Sequence, residues 1–177
     1  TLSLHDALPI SKVPKGKKVI EYIGEKITKK ESERRSIALI EKNQGSETNG
    51  AVYIFEVNKR HDIDGNIPEN SARFINHSCE PNCEPDVIKN RVWLISTRKI
   101  KEGEELSYNY GFDLDGYEDH ECKCGTKKCV GYITAEDNWP KLKKRLAKKK
   151  KKAKKTKKKA AQKPAEDKKK SKKKAKK

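Results

Sequence analysis

The chain has 177 residues and a formal net charge of +18, with 32% apolar and 40% charged residues, which is enough for one domain of roughly 100–200 residues plus an appendage. The charge is concentrated: residues 141–177 hold 23 Lys and Arg against 2 acidic side chains, leaving the first 140 residues at about −3. No run of eighteen apolar residues argues for a membrane-spanning helix, and the first residues lack the basic-then-apolar pattern of a secretory leader, so an intracellular protein with no membrane partner is expected.

In chain order, residues 1–10 show no periodic pattern and are expected to be irregular or foreign to the domain; with no Met anywhere, the chain reads as a fragment or processed product. Residues 17–25, KKVIEYIGE, alternate apolar and polar side chains after the Pro14-Lys15-Gly16 turn and predict a strand. Thr28 and Glu31 have capping-box spacing ahead of a segment containing Ile37, Leu39 and Ile40, which predicts a helix ending near residues 43–45. AVYIFEV (51–57) and RVWLIST (91–97) are β-branched and aromatic, and predict strands. KEGEELSYNYGF (101–112) reads as turn, brief strand, turn. The whole pattern predicts a mainly β, folded-ribbon domain with few, short helices. Residues 141–177 are nearly devoid of apolar side chains and repeat Lys-Lys-Lys-Ala, so they are expected to be disordered.

Five cysteines, an odd number, with three of them in CKCGTKKC (122–129), suit a metal site better than a disulfide framework. Cys122, Cys124 and Cys129 have C-x-C-x4-C spacing, and Gly125 permits the tight turn that three thiolates around one ion require. Structural zinc takes four tetrahedral ligands, so one more is needed; Cys79 and Cys83 are the two remaining candidates. The alternative is a set of reduced thiols packed as small hydrophobes, against which stands the polar character of the neighbours Asp119, His120, Glu121, Lys123, Lys127 and Lys128.

The stretch ARFINHSCEPNC (72–83), together with IEYIGE, YIFEV, DIDG, KEGEELSYNYGF and CKCGTKKCVGYI in that order, resembles the SET-domain protein-lysine methyltransferases that carry a cysteine-rich post-SET segment. The resemblance covers residues 13–133. It implies a SET domain over 11–117 lacking its first glycine-rich strand, a post-SET zinc segment over 118–140, and a knot-like threading of the ELSYNYG block past the RFINHSC block. It further implies S-adenosylmethionine as methyl donor and a lysine side chain as acceptor. Arg73, Asn76 and His77 would line the cofactor pocket, Tyr110 would be the catalytic tyrosine, and Tyr53 and Tyr108 would line the lysine channel. Cys79 would complete the zinc set with Cys122, Cys124 and Cys129. Two residues keep a second reading: His77 as a structural histidine that fixes its loop, and Arg73 as a surface charge. Tyrosine rather than phenylalanine at position 108 implies mono- or dimethylation.

The chemistry explains the residue types. With a reference pKa near 10.4, about one lysine amine in 2,500 is neutral at pH 7, and an apolar channel next to a sulfonium disfavours the ammonium form. Aromatic walls desolvate the amine, and phenolic hydroxyls orient its lone pair. The expected substrate is a basic, nucleic-acid-associated protein such as a histone or nucleoid protein. The lysine-rich tail over 141–177 is expected to bind phosphate backbones without sequence preference, which makes the protein chromosome-associated. Its lysines are also candidate acceptors. Two competing readings are an inactive SET-like scaffold tethered to DNA by its tail, which the missing glycine strand favours, and a zinc-containing nucleic-acid binder with no cofactor.

Overall fold

The structure, a computed structural model, describes residues 8–42 and 52–155. The chain divides into two compact units, 1–136 and 137–177. Among its described residues the first has eight strands and one longer helix: β1 (Lys18–Tyr22), β2 (Glu25–Thr28), α1 (Lys29–Lys42), β3 (Ile54–Glu56), β4 (His61–Asp64), β5 (Asn76–His77), β6 (Cys83–Ile88), β7 (Arg91–Ser96) and β8 (Ser107–Tyr108), with short 3-10 turns between them. This is the mainly β architecture expected from the sequence.

Two antiparallel sheets of three strands hold the domain, in the orders β1-β7-β6 and β2-β4-β3. In β7 the side chains of Val92, Leu94 and Ser96 are buried while Arg91 is exposed, the period-2 burial that makes a central strand legible. Lys89 and Asn90, at φ 52° and 59°, turn β6 back into β7; positive φ at both central residues is the twist a two-residue hairpin needs. β6 contains Pro85, paired with Leu94. As the outer strand of its sheet it tolerates a residue without an N–H. A composition of CEPDVI does not announce a strand, and the sequence reading missed it.

β4 was legible only as a motif, since HDID is too polar for an obvious strand. Cations stabilise it. Lys29 reaches Asp62 at 2.6 Å and Arg35 reaches Asp64 at 2.8 Å. Gly24 makes the approach of β2 to β4 possible, because a Cβ there would lie 2.2 Å from the Asp64 carbonyl oxygen. The helix begins as expected: the Thr28 hydroxyl accepts from the Glu31 N–H at 3.3 Å, satisfying one of the free donors of the first turn. Its last described residue is Lys42, and the expected end at 43–45 lies outside the described residues, as do Ala51 and residues 1–7.

The third sheet is the smallest and matters most for function. β5 and β8 pair in parallel, Asn76 opposite Ser107 and His77 opposite Tyr108. The core that surrounds it includes Tyr22, Ile63, Ile75, Leu94, Ile100 and Tyr108.

In the second unit residues 139–155 are helical, whereas the composition predicts disorder from 141 onward. Lys, Arg, Leu and Ala are all strong helix formers, and Pro140 falls in the first turn, where its missing N–H removes no helical hydrogen bond. Every Lys of this helix is exposed, and residues 156–177 lie outside the described residues. Among the described residues, no helix is long and apolar enough to cross a membrane.

Candidate active site and metal centre

The parallel β5–β8 pair brings together the two stretches that the sequence singled out, residues 71–85 and 101–112. Backbone pairing alone is only two residues long, and Asn82 extends it. This side chain is 2% exposed; its Oδ1 accepts from the Ser107 N–H at 2.9 Å, and its Nδ2 donates to the Glu105 carbonyl at 2.8 Å. The Ser78 N–H donates to the Tyr108 carbonyl at 3.1 Å. Asn82 thus staples the later block onto the earlier one.

Tyr110 follows directly. Its hydroxyl donates to the Ile75 carbonyl at 2.9 Å, and its backbone N–H donates to His77 Nδ1 at 3.2 Å. The rings of Tyr108 and Tyr110 lie 4.9 Å apart, with Phe55 6.1 Å from Tyr108 and Tyr22 5.2 Å from Phe55. Burial, reinforced by the Tyr53 phenol, pushes the Tyr110 hydroxyl up to about 12. Burial likewise raises Tyr108 and Tyr22. These phenols therefore stay protonated at neutral pH and act through hydrogen bonds and shape rather than as bases.

Tyr53, expected in the channel wall, is half-buried. Its carbonyl accepts from the Tyr22 hydroxyl at 2.9 Å and from the Gly65 N–H at 2.8 Å. It lines a groove with Leu39, Ile54 and Asn66. Tyr22, read from the sequence only as a strand residue, is thus the one that fixes the backbone beneath Tyr53. Gly65 is needed at this spot because a Cβ would lie 2.3 Å from the Tyr22 ring.

Asn76, His77 and Tyr110 line one cavity of about 700 Å³, with Ser78, Cys122 and Ile133, within the size range of small-molecule sites. Its acidic members Glu80, Glu104, Glu105, Asp119 and Glu121 outnumber Arg98 and Lys123, a balance that favours a cationic occupant. Asn76 Nδ2 donates to Glu105 at 2.7 Å. Burial holds His77 down to about 4, so its ring is neutral. Arg73 is not part of this lining: it stacks on Phe74 at 4.7 Å and reaches Asn66 at 3.4 Å.

Four sulfurs converge beside the cavity. The Sγ atoms of Cys79, Cys122, Cys124 and Cys129 all lie within 4.8 Å of one another, and Cys79 and Cys122 are 3.8 Å apart. A tetrahedron with metal–sulfur bonds of about 2.3 Å has sulfur–sulfur edges of about 3.8 Å, so the set fits a zinc ion. It does not fit a disulfide, whose bond is about 2.05 Å. Without a cation burial raises the Cys79 thiol to about 11 and Cys122 further, which is the energetic reason such a cluster needs a positive charge at its centre. Local turns shape the site: Gly125 has φ 66°, the Cys129 N–H donates to the Thr126 carbonyl at 3.1 Å, and the Cys122 N–H to the Gly131 carbonyl at 3.0 Å. Cys83 is left out, fully buried in the core.

The sequence reading missed Asn82 and Tyr22. Nothing local in the tripeptide Pro81-Asn82-Cys83 announces the role of Asn82, because its partners lie 23 and 25 residues further along the chain.

Comparison with known proteins agrees with this geometry. The SET domain family model matches residues 10–111. The histone-lysine N-methyltransferase 2D of Homo sapiens is 39% identical over 117 residues, 63% of this chain but 2% of that protein. An H3 lysine-4 specific histone-lysine N-methyltransferase of Chaetomium globosum is 36% identical over 128 residues, 68% of this chain and 11% of that protein. An H3 lysine-36 specific one of Gibberella zeae is 40% identical over 119 residues, 65% of this chain and 12% of that protein. The chain thus spans a small part of the length of these relatives. With the family match extending over more than half of its residues and ending at Gly111, one residue past Tyr110, this chain belongs to the SET-domain family.

Proposed function

We propose that the chain is a protein-lysine N-methyltransferase that takes its methyl group from S-adenosylmethionine and acts on a basic, chromosome-associated protein, a histone or nucleoid protein. The observation that carries this reading is the parallel β5–β8 pair, which sets Tyr110, hydroxyl anchored on Ile75, beside the acidic cavity lined by Asn76 and His77. The relatives' names support histone lysine as the acceptor class, and their different H3 positions at similar identity support nothing narrower.

The donor, when bound, supplies a methyl group already activated on a sulfonium. The chain's residues do the rest. Asn76 binds the donor from the β5 side, with His77 in the wall beside it, and the acidic lining favours its positive charge. Tyr108, Tyr110 and Phe55 form a low-dielectric wall in which the acceptor amine is held uncharged. The Tyr110 hydroxyl, whose proton goes to the Ile75 carbonyl, accepts an N–H of the amine and so turns the lone pair away from itself without taking its proton. The ammonium proton of the acceptor leaves to water, and a donor bound in the cavity would supply its methyl group to the freed lone pair, so the chain's own contribution is chiefly positioning. Tyr108, buried beside Phe55, leaves room for few methyl groups, which supports mono- or dimethylation. Cys79, Cys122, Cys124 and Cys129 hold a structural zinc. The lysine-rich segment from 141 onward binds nucleic acid through phosphate contacts and keeps the protein at the chromosome.

The test is label transfer from S-adenosylmethionine to histones and nucleoid proteins. Wild type is expected to label lysine, and Tyr110→Phe to lose about 100-fold in rate. The alternative is a scaffold without transfer. Absence of label on every basic protein tried decides for it, whereas full activity of Tyr110→Phe overturns the role given to Tyr110 and leaves transfer itself standing.

A further inference from the structure

His77 is one side chain with two separate partners. Its Nδ1 accepts the Tyr110 backbone N–H at 3.2 Å, and its Nε2 lies 3.6 Å from the sulfur of Cys79. A ring nitrogen that accepts carries no proton, so in the neutral imidazole the proton sits on Nε2 and points at the Cys79 sulfur. The ring also meets the Tyr110 ring edge-on, with centroids 5.4 Å apart. Its main chain is in register with Tyr108, and the residue is 8% exposed. A single imidazole therefore spans the gap between a ligand of the cysteine cluster and the main chain of the tyrosine beside the cavity.

We infer that His77 is a positioning residue that couples metal occupancy to the placement of Tyr110. This rests on the zinc reading of the four cysteines. A bound ion makes Cys79 a thiolate, a much better acceptor than a thiol. The thiolate holds the proton on Nε2, and this leaves Nδ1 free to receive the Tyr110 N–H. With the tautomer fixed in this way, the Tyr110 backbone is pinned between its neighbour Tyr108 in β8 and the imidazole, and the phenol is aimed at the Ile75 carbonyl. Without the ion the Nε2–H loses its charged acceptor, and the ring is held on that side only by a weakly accepting thiol. The cysteine cluster then governs the transfer site through a specific hydrogen-bonded chain, in addition to holding the polypeptide together. Because the Val130 N–H also contacts the Cys79 sulfur, losing His77 weakens the chain without dismantling the metal site.

The experiment uses the full chain loaded with cobalt(II) in place of zinc. Cobalt in a four-thiolate site gives sulfur-to-metal charge-transfer bands whose energy reports hydrogen bonding to the sulfurs. His77→Phe keeps a flat ring and removes both nitrogens; His77→Gln keeps an amide N–H near the Nε2 position. In His77→Phe the charge-transfer band is expected to move to lower energy, and metal affinity measured by chelator competition to fall roughly 10- to 100-fold. His77→Gln is expected to return most of both. Hydrogen exchange at the Tyr110 amide is expected to accelerate about tenfold or more in metal-loaded His77→Phe, and to a similar degree when metal is stripped from wild type, while the Leu94 amide of the central strand keeps its protection. Unmoved bands in His77→Phe, or a Tyr110 amide indifferent to metal removal in wild type, would overturn the coupling. If His77→Phe loses Leu94 protection, the decision passes to His77→Gln and to metal removal from wild type. A wild-type spectrum without four-thiolate bands would overturn the zinc reading itself, a result separate from the first two.

Discussion

Replacing Asn82 by Ala tests whether the staple between the two blocks holds the site. The substitution removes the acceptor for the Ser107 N–H and the donor to the Glu105 carbonyl, and it also loses the weaker contact to the Glu104 carboxylate at 3.3 Å. Because Asn82 is 2% exposed, water cannot replace it without opening the β8 segment. Each stranded buried backbone group costs about 1–3 kcal/mol, and partial relaxation brings the sum to about 2–4 kcal/mol. For a domain of this size that lowers the thermal midpoint by about 4–15 °C. Asn82→Asp should be no better: it keeps the acceptor for Ser107 but turns a carboxylate toward the Glu105 carbonyl and Glu104. The assay is urea unfolding of the metal-loaded chain, read as a shift of midpoint at constant slope, with hydrogen exchange at the Ser107 amide alongside. A midpoint that implies less than about 0.5 kcal/mol, the ordinary scale of a surface substitution, would refute the argument. So would an unchanged Ser107 amide.

Other outcomes follow from the same geometry. Chelation is expected to remove one ion per chain and destabilise the C-terminal part of the first unit; Cys79→Ser should reduce metal content, while Cys83→Ala, in the core, should leave it unchanged and show only a cavity cost of about 1 kcal/mol. The hydrogen bond from Arg98, helped by the Lys101 N–H, holds Glu104 down to about 2. A carboxyl whose folded value lies below its ordinary one contributes stability above about pH 4.5 that is lost as pH falls toward 2. With 26% of its side chain exposed, about 1–2 kcal/mol is the expected size after screening, and Glu104→Gln should flatten that part of the acid-unfolding curve. Gly65→Ala would put a methyl 2.3 Å from the Tyr22 ring and 2.5 Å from Asn70 Nδ2, and is expected to cost about 1–3 kcal/mol by calorimetry.

Sequence alone was sufficient where one stretch of chain carries its own physical cause. The alternation of RVWLIS, the Thr28 and Glu31 cap, and the C-x-C-x4-C spacing around Gly125 all act over a few residues, and each appears where it was expected. So did the grouping of Cys79 with Cys122, Cys124 and Cys129 implied by the family resemblance. Tertiary structure decided the rest. Cys79 and Cys83 are four residues apart and chemically identical; Cys83 opens β6 and enters the core, whereas Cys79 sits three positions before Asn82 with its sulfur facing the other three. β5 and β8 are two residues each, too short for any periodicity to announce, and their parallel register is set by an amide from a neighbouring loop. HDID becomes a strand because Lys29 and Arg35 arrive from elsewhere in the chain. The helix over 139–155 shows the limit from the other side, since a lysine-dominated composition reads as disorder although Lys, Arg, Leu and Ala favour helix and Trp139, Leu142 and Leu146 carry helical spacing. The division has one physical reason: propensity, capping and ligand spacing are properties of neighbours along the chain, while burial, charge pairing and register are properties of residues that only folding makes neighbours.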